Sequence, residues 1–254
     1  MNTPRFIPYL SFFSFAVFAG LASSVSGAVL GISDMTFSPD PGDTIGAGVV
    51  DITSYAADGV VYSGLQGPTS NFSGTSIPST VFYGQGGAQD PVYEGGNSLL
   101  GLNVTSGFAN VDVNFDLSFG QVVDSAAAFF MTEVLIGGDD AITVVPLDLS
   151  GNVIGDYSIS ITEAQWGAGL LDQKISVSGT IGSIRGVSFL LSDFDGTFGD
   201  LSTIAGLRIV GSTGADLTTI GYATTATPIP ESASVAFLLG GIGLLVTAVR
   251  RRLS

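Results

Sequence analysis

Apolar and polar residues alternate along the middle of this chain with the period of a β-strand. The cleanest run is 111–119, in which every second residue is apolar without a break. Because successive side chains of a strand point to opposite faces, this run predicts a strand with one face in a core and the other in water. Shorter runs of the same kind predict further strands at 142–149, 157–161, 175–181, 187–191 and 207–210.

Turn-forming residues between these runs indicate which strands pair. A Gly-Gly-Asp-Asp sequence within 137–141 predicts a hairpin between strands 129–136 and 142–149. The Ser-Gly-Asn turn at 150–152 predicts a second hairpin between 142–149 and 153–161. Regularly spaced short strands joined by such turns predict an all-β fold, an antiparallel β-sandwich or jelly roll.

Helical periodicity is almost absent from the middle of the chain. One short helix is predicted at 162–171, where Thr162 would cap the first turn and Glu163 would lie in it. The segment 64–96 is rich in Gly, Ser, Pro, Gln and Asn, and it predicts long loops around an edge strand at 80–83.

The longest apolar run lies near the C-terminus. Residues 232–249 carry no charge, and as a helix they would span roughly 27 Å, about the thickness of a hydrocarbon core. Arg250, Arg251 and Arg252 follow directly in a chain that has only seven basic residues. Basic residues hold the end of a span on the cytoplasmic side. The pattern predicts a transmembrane helix with its N-terminal side outside; a buried terminal helix is the alternative.

The N-terminus carries the pattern of a secretory signal peptide. Arg5 is the only charge before an apolar stretch at 12–21, and small residues occupy 26–28. Small residues at these positions are read by signal peptidase, so cleavage after Ala28 is predicted. The alternative is an uncleaved first anchor, although the apolar stretch is short for a span.

Pro230 and Glu231, the apolar span and the arginine cluster follow one another in a fixed order at the C-terminus. This arrangement, over 228–254, resembles the PEP-CTERM sorting signal of Gram-negative bacteria that make exopolysaccharide. Ser232 stands where the family's usual motif has a second proline. The resemblance implies that an exosortase-type membrane protease recognises Pro230 and Glu231, removes the transient anchor and releases the protein to the cell surface or matrix. The arginines would be the retention signal.

The ends and the strand pattern together predict the domain organisation. A signal peptide at 1–28 precedes one β-sandwich domain at 29–222, and a linker at 223–229 leads to the sorting tail at 230–254, whose span is 232–249. The last strand is expected to end near Tyr222. The body is long enough for one domain of ordinary size.

The body is strongly acidic. Between the two end segments, 21 acidic residues face only Lys174, Arg185 and Arg208, which gives a net charge of −18. Such a surface repels phosphate backbones and argues against nucleic-acid binding. It suits divalent cations, neutral glycans or a hydrated matrix.

The chain contains no cysteine and no histidine. Disulfides, thiol nucleophiles, Ser-His-Asp triads and ordinary zinc or haem sites are therefore excluded. An enzyme built on this chain would need carboxylates, hydroxyls or a hard metal ion.

One acidic loop is a candidate calcium site. Asp193, Asp195 and Asp200 surround two glycines, and calcium prefers six to eight oxygen ligands. The helix-loop-helix calcium signature is not met, because Thr197 and Ile204 stand at two ligand positions. A solvated turn is the alternative here, as it is for the two aspartates at 139–140.

Two further hypotheses concern carbohydrate. The body's only glutamates are Glu94, Glu133 and Glu163, and a glycosidase needs two facing carboxylates, but nothing in the sequence brings two of them together. Trp166 could stack on a sugar together with tyrosines, or could pack in the core. The tyrosines concerned are Tyr83, Tyr93 and Tyr157.

The leading prediction is a non-enzymatic exported protein of the cell surface or extracellular matrix, without catalytic residues. Its expected partners are the sorting protease and, by the resemblance, extracellular polysaccharide. No cofactor is predicted other than possible calcium. The alternatives are a secreted carbohydrate-active hydrolase with paired carboxylates and a calcium-dependent adhesion module.

Overall fold

The computed structural model of the chain describes residues 29–42, 44–45, 50–72, 80–82, 101–104, 106–108, 114–135, 141–177, 180–211 and 217–229. The predicted signal peptide, the predicted sorting tail and the two aspartates at 139–140 lie outside these ranges. Within these ranges, no helix is both long enough and apolar enough to cross a membrane.

The described residues form strands with very little helix. The strands are β1 (Leu30–Ser38), β2 (Thr44–Ile45), β3 (Asp51–Ala57), β4 (Val60–Gln66), β5 (Ser70–Asn71), β6 (Thr80–Phe82), β7 (Ser106–Phe108), β8 (Asn114–Ser118), β9 (Ala128–Leu135), β10 (Ile142–Leu147), β11 (Ile159–Ile161), β12 (Leu170–Val177), β13 (Thr180–Leu190), β14 (Gly206–Gly211) and β15 (Leu217–Pro228). The helix is α1 (Glu163–Ala168), and two 3-10 turns lie at Leu191–Asp193 and Leu201–Thr203. The predicted antiparallel all-β class is confirmed.

Six strands close into a barrel in the order β1, β3, β4, β15, β9 and β13, with β13 pairing back to β1. The ring closes through two residue pairs, Leu30 with Ser188 and Gly31 with Val187. The earlier half of β13 pairs along the same edge with β12, to which the short β2 adds in parallel. A closed ring of this kind is a different arrangement from the predicted antiparallel β-sandwich or jelly roll.

A second sheet packs against the barrel wall. Its strands run in the order β11, β10, β14, β8 and β5, and β6 pairs separately with β7. One core fills the barrel and a second lies between its wall and this sheet. The wall strand β9 serves both, since Phe129 and Met131 belong to one core and Phe130 and Val134 to the other.

The position of β9 contradicts the first predicted hairpin. β9 lies between β13 and β15 in the barrel, whereas β10 lies between β11 and β14 in the second sheet. The physical reason is that β9 carries apolar residues on both faces, and such a strand needs a core on each side. The second predicted hairpin is confirmed, because β10 pairs antiparallel with β11 from Ile142 and Ile161 onwards.

Two predicted strand boundaries are wrong. The run 175–181 is not one strand, because the chain reverses and Val177 pairs with Thr180. The last strand does not end near Tyr222 but continues to Pro228, so the predicted linker 223–229 lies almost wholly in the sheet. Threonine-rich segments suit strands because their side chains are β-branched.

The strand predicted at 111–119 is present as β8, but its polar face is not in water. Asp116 is only 4% exposed, and Arg208 on β14 compensates its buried carboxylate with two hydrogen bonds, at 2.7 and 2.8 Å. The short helix predicted after Thr162 and the edge strand predicted at 80–83 are found as α1 and β6. The helix is shorter than expected, since β12 begins at Leu170.

Candidate functional site

The most unusual polar group of the body is a buried ion pair between two wall strands. The register of β9 and β13 places Glu133 opposite Arg185. The Arg185 Nη2 atom lies 2.7 Å from Glu133 Oε1, and the two side chains are 1% and 0% exposed. Burial of charged groups requires such pairing, because an isolated ion in an apolar interior is very costly.

Helix α1 brings a second carboxylate to the same guanidinium. Arg185 Nη1 lies 2.5 Å from Glu163 Oε1, and the Glu163 side chain is 43% exposed. The start of the helix is fixed locally, since the Gln165 Oε1 atom accepts hydrogen bonds from the Thr162 N–H at 2.7 Å and the Thr162 hydroxyl at 2.9 Å. This arrangement holds Glu163, in the first turn, over the barrel wall.

Trp166 lies on the buried face of the same helix. Its side chain is fully buried in the core between the barrel and the second sheet. Among the described residues, no acceptor forms a hydrogen bond with its indole Nε1. Of the two alternatives that the sequence left open for Trp166, the structure therefore shows core packing and not an exposed ring for sugar stacking. Tyr157 is half-buried, while Tyr83 and Tyr93 lie outside the described residues.

Two of the three body glutamates are thus brought together, which no sequence motif indicated. They do not face each other across an open cleft, because Arg185 lies between them and Glu133 is closed off from solvent. General acid–base chemistry requires a carboxylate within hydrogen-bond reach of the substrate. This geometry ties α1 to the barrel wall and leaves only Glu163 accessible from outside. Glu94 lies outside the described residues.

Two of the three calcium candidates, Asp193 and Asp200, accept hydrogen bonds from nearby residues of the chain. Asp193 Oδ2 accepts the Leu190 N–H at 2.7 Å, and Asp200 Oδ1 accepts the Ser202 hydroxyl and N–H at 2.6 and 3.0 Å. The Ser202 hydroxyl and then its N–H lower the pKa of Asp200. The Asp195 side chain is exposed, and its backbone pairs with that of Ser158 in an isolated β-bridge. In the part of the chain that the structure describes, no three acidic side chains form a metal-binding group, and calcium binding remains a prediction.

A different aspartate organises this loop, and the sequence analysis missed it. Asp156 Oδ1 accepts the backbone N–H groups of Thr197 at 2.7 Å and Phe198 at 3.0 Å, and Oδ2 accepts the Thr197 hydroxyl at 2.8 Å. The donors, led by the Phe198 N–H, lower the pKa of Asp156. Its position after a turn glycine, far from the loop in sequence, gave no signal of this contact.

Two shallow depressions lie elsewhere on the described surface. One, of ≈ 240 Å³, lies at one end of strands β11, β10 and β14 and includes Thr143, Ser160 and Thr162 in its lining. The other, of ≈ 80 Å³, lies beside Asp34 and Tyr55 on the barrel. Neither contains a cluster of acidic or basic side chains. The sorting residues Pro230, Glu231, Arg250, Arg251 and Arg252 lie outside the described residues.

Comparison of the chain with protein-family models, with curated proteins and with solved structures found no match.

Proposed function

We propose that this chain is an exported, non-catalytic protein of the cell surface or extracellular matrix of a Gram-negative bacterium. A signal peptide at 1–28 delivers the β-barrel body, and a transmembrane span at 232–249 holds it in the inner membrane for a time. An exosortase-type protease then recognises Pro230 and Glu231 and releases the body, which associates with extracellular polysaccharide.

The observation that carries this proposal is the position of the two ends of the body. Ile32 pairs with Ala57, Ala57 with Val60, and Val60 with Pro228. This row crosses four neighbouring strands, so the start of β1 and the end of β15 lie at the same end of the barrel. Three strand spacings of about 4.8 Å put them about 14 Å apart along the sheet.

Both predicted targeting segments would therefore be attached at the same end of the barrel, and both could face one membrane. Ile229 still donates its N–H to Gly59 at 2.7 Å, and the span would begin three residues later, at Ser232. Three extended residues reach about 11 Å at most, so this end of the barrel would face the bilayer before processing. The described strands and helices lie between Leu30 and Pro228, so both cleavages would leave them intact.

The buried ion pair favours the non-catalytic proposal over a two-carboxylate hydrolase. A hydrolase that used Glu133 and Glu163 as its two carboxylates would need Glu133 to reach the sugar, but this side chain is fully buried and bound to Arg185. In a non-catalytic protein Glu163→Gln would therefore change the rate of hydrolysis of no glycan, whereas in such a hydrolase the same substitution would abolish turnover. A calcium-dependent adhesion module would instead lose thermal stability on chelation, and the double variant Asp193→Asn, Asp195→Asn would abolish that loss.

Intact mass and cell fractionation of the protein from its native host test the proposal. We expect a mass that lacks 1–28 and everything after about Glu231, with the body in the surface or matrix fraction. The double variant Pro230→Ala, Glu231→Ala should retain the arginine tail and stay in the inner membrane. Asp58→Asn, which removes one charge at the same end of the barrel, should be processed normally. A wild-type mass that retains the arginines, found in the inner membrane, would show a simple tail anchor instead.

A further inference from the structure

The exposed apolar side chains of the body lie at one end of it. Among the described residues, six large apolar side chains are exposed to solvent: Val122, Leu149, Val153, Leu190, Phe198 and Ile229. Single exposed apolar residues scattered over a surface are ordinary and need no explanation. These six are not scattered, because each lies in or beside a chain connection at the same end of the strands.

The antiparallel pairing of the barrel defines this end. Every neighbouring pair in the ring is antiparallel, so β1, β4 and β9 begin at the end where β3, β13 and β15 finish. Leu190 is the last residue of β13, Ile229 follows β15, and Val122 lies in the connection 119–127 that leads into β9. The predicted membrane span leaves the body at this same end.

The other three side chains lie in connections that contact this end. The connection 191–205 starts where β13 finishes, and it carries Phe198. Backbone hydrogen bonds of 2.8 and 2.9 Å join it to the connection 119–127 and to the connection 148–158, which carries Leu149 and Val153. These three connections, the turn at 58–59 and Ile229 form what we call the apolar end of the body.

Phe198, whose side chain is 63% exposed, is held in place by its neighbours. Asp156 Oδ1 accepts the Phe198 N–H at 3.0 Å, and the Phe198 carbonyl lies where a side chain at Gly155 would be. The loop is therefore fixed before any partner binds, and little conformational entropy is lost when the ring is covered. A fixed loop that presents a large apolar ring to solvent is typical of an interaction surface.

We propose that the apolar end contacts the lipid bilayer directly, with its exposed apolar side chains at the level of the headgroups. This inference rests on the proposed function, because the predicted span is what brings a bilayer to this end. The span begins three residues after Ile229, and three extended residues reach about 11 Å at most. Apolar side chains in the interface then strengthen the attachment in proportion to the area that they bury.

The charges of the apolar end indicate which lipids it fits. Its connections and its turn carry seven aspartates and no basic residue: Asp58, Asp124, Asp148, Asp156, Asp193, Asp195 and Asp200. Anionic headgroups would repel these carboxylates, whereas the ammonium groups of phosphatidylethanolamine and phosphatidylcholine attract them. The partner is therefore a zwitterionic bilayer surface.

Quenching by spin-labelled lipid tests this contact in the full-length chain. Because the chain contains no cysteine, a fluorophore can be attached to single cysteines introduced as Phe198→Cys, as Thr36→Cys and as Leu239→Cys in the predicted span. Thr36 is exposed and lies six residues along β1 from Leu30, about 20 Å from the apolar end. Each variant is reconstituted into phosphatidylethanolamine and phosphatidylcholine vesicles that carry spin labels at the headgroup and along the acyl chain.

We expect the label at 198 to be quenched about threefold more than the label at 36, which is held away from the bilayer. Quenching at 239 but not at 198 would overturn the proposal and leave the predicted anchor intact. Quenching at 198 but not at 239 would support the contact and contradict the anchor, and quenching at neither would overturn both. A label at 198 that is shielded from aqueous iodide but not quenched by lipid would show that protein covers this end, and would also overturn the proposal.

Removal of apolar side chains separates contact from mere proximity to the anchor. The double variant Leu149→Ser, Val153→Ser should reduce quenching at 198 by about half, because less apolar area enters the interface. Unchanged quenching would overturn the proposed apolar contact. Stronger quenching when phosphatidylglycerol, an anionic lipid, replaces part of the zwitterionic lipid would overturn the assignment of the partner. Melting temperatures close to that of the wild type establish that these exposed substitutions leave the fold intact.

Discussion

At the scale of single residues, Arg185 joins three parts of the molecule. Its guanidinium contacts Glu133 on the neighbouring wall strand and Glu163 on α1, and its side chain is almost fully buried. A buried ion pair adds little net stability compared with well-packed apolar side chains, but loss of one partner leaves an uncompensated buried charge. The cluster therefore makes Arg185 indispensable without making the pair itself strongly stabilising.

Arg185→Met tests this asymmetry. Because Glu133 would remain buried without its cation, we expect the free energy of unfolding to fall by about 3–5 kcal/mol. The double variant Arg185→Met, Glu133→Leu should recover most of the loss, since no buried charge remains. Urea denaturation monitored by Trp166 fluorescence measures both. A single variant that loses less than about 1 kcal/mol, or a double variant no better than the single, would contradict this account.

Asp156 gives a second prediction, on pH. Its carboxylate accepts hydrogen bonds from Phe198 and Thr197, and these lower its pKa in the folded state. A lowered folded pKa stabilises the fold above the unfolded value of about 3.9, and this contribution disappears as the pH falls through the folded value. Asp156→Ala should therefore lower the urea midpoint at pH 7, and the difference from wild type should shrink as the pH falls below about 4.

Asp195→Ala on the same loop is the matched control for Asp156→Ala. It removes an equal charge, but the backbone bridge between residues 195 and 158 does not require the side chain. The midpoint at pH 7 should change much less. If both variants lower the midpoint equally, charge rather than the Asp156 hydrogen bonds determines the stability of the loop.

The cluster of Arg185, Glu133 and Glu163 could not be predicted from the sequence, because its members are far apart along the chain. Glu133 and Arg185 become neighbours only through the register of β9 and β13, and Glu163 reaches them because α1 folds back over the wall. No local spacing encodes either contact. Thr162, by contrast, is a cap whose partner Gln165 lies three residues away, and such local signals are readable from sequence.

At the scale of elements, α1 is held by close backbone contact as well as by Glu163. A side chain at Gly169 would collide with the carbonyl oxygen of Gly186 on β13, and one at Gly31 would collide with Ala168. The Gly186 N–H also donates to Gly169 O at 2.9 Å. Glycine is required at these positions because the helix end lies directly on the barrel seam.

Gly169→Ala and Gly167→Ala form a matched pair on this helix. The first should destabilise the protein by about 1–3 kcal/mol, because a methyl group must displace backbone. Gly167 has no neighbouring atom where a methyl group would lie, so its substitution should be neutral or stabilise by about 0.5–1 kcal/mol. Thermal unfolding of both variants measures the difference. Equal destabilisation would mean that α1 does not pack closely on the seam.

Elements whose contacts lie close in sequence were predicted correctly, and those whose contacts lie far apart in sequence were not. The β10–β11 hairpin was predicted correctly because its turn residues and its alternating apolar and polar residues lie in one continuous segment. The Asp148 carboxylate accepts the N–H groups of Ser150 and Asn152 in the turn. The pairing of β9 was predicted wrongly, because a strand that is apolar on both faces fits several partner strands equally well. The reversal after Val177 was missed because it interrupts a continuous strand pattern.

At the scale of the whole molecule, the shortest strand pairing of the barrel is the seam between β1 and β13. β1 meets β13 through two residue pairs, whereas β9 meets β13 through eight. Helix α1 lies across this seam, in contact with β1 at Gly31 and with β13 at Gly186 and Arg185. Opening of the barrel should therefore begin at the β1–β13 seam, and α1 should determine how often it occurs.

Hydrogen exchange of Glu163→Gln examines this order of opening. The substitution weakens the tie between α1 and Arg185 but leaves the buried pair of Arg185 and Glu133, so global stability should change little. Amides in 29–34 and 163–169 should exchange faster than in the wild type, while those of β9, buried between two cores, should not change. Asp200→Asn, which removes a charge at the start of the 3-10 turn Leu201–Thr203, should leave both regions as they are. A uniform increase along the chain would show that the barrel opens as one unit, and that α1 does not control the seam.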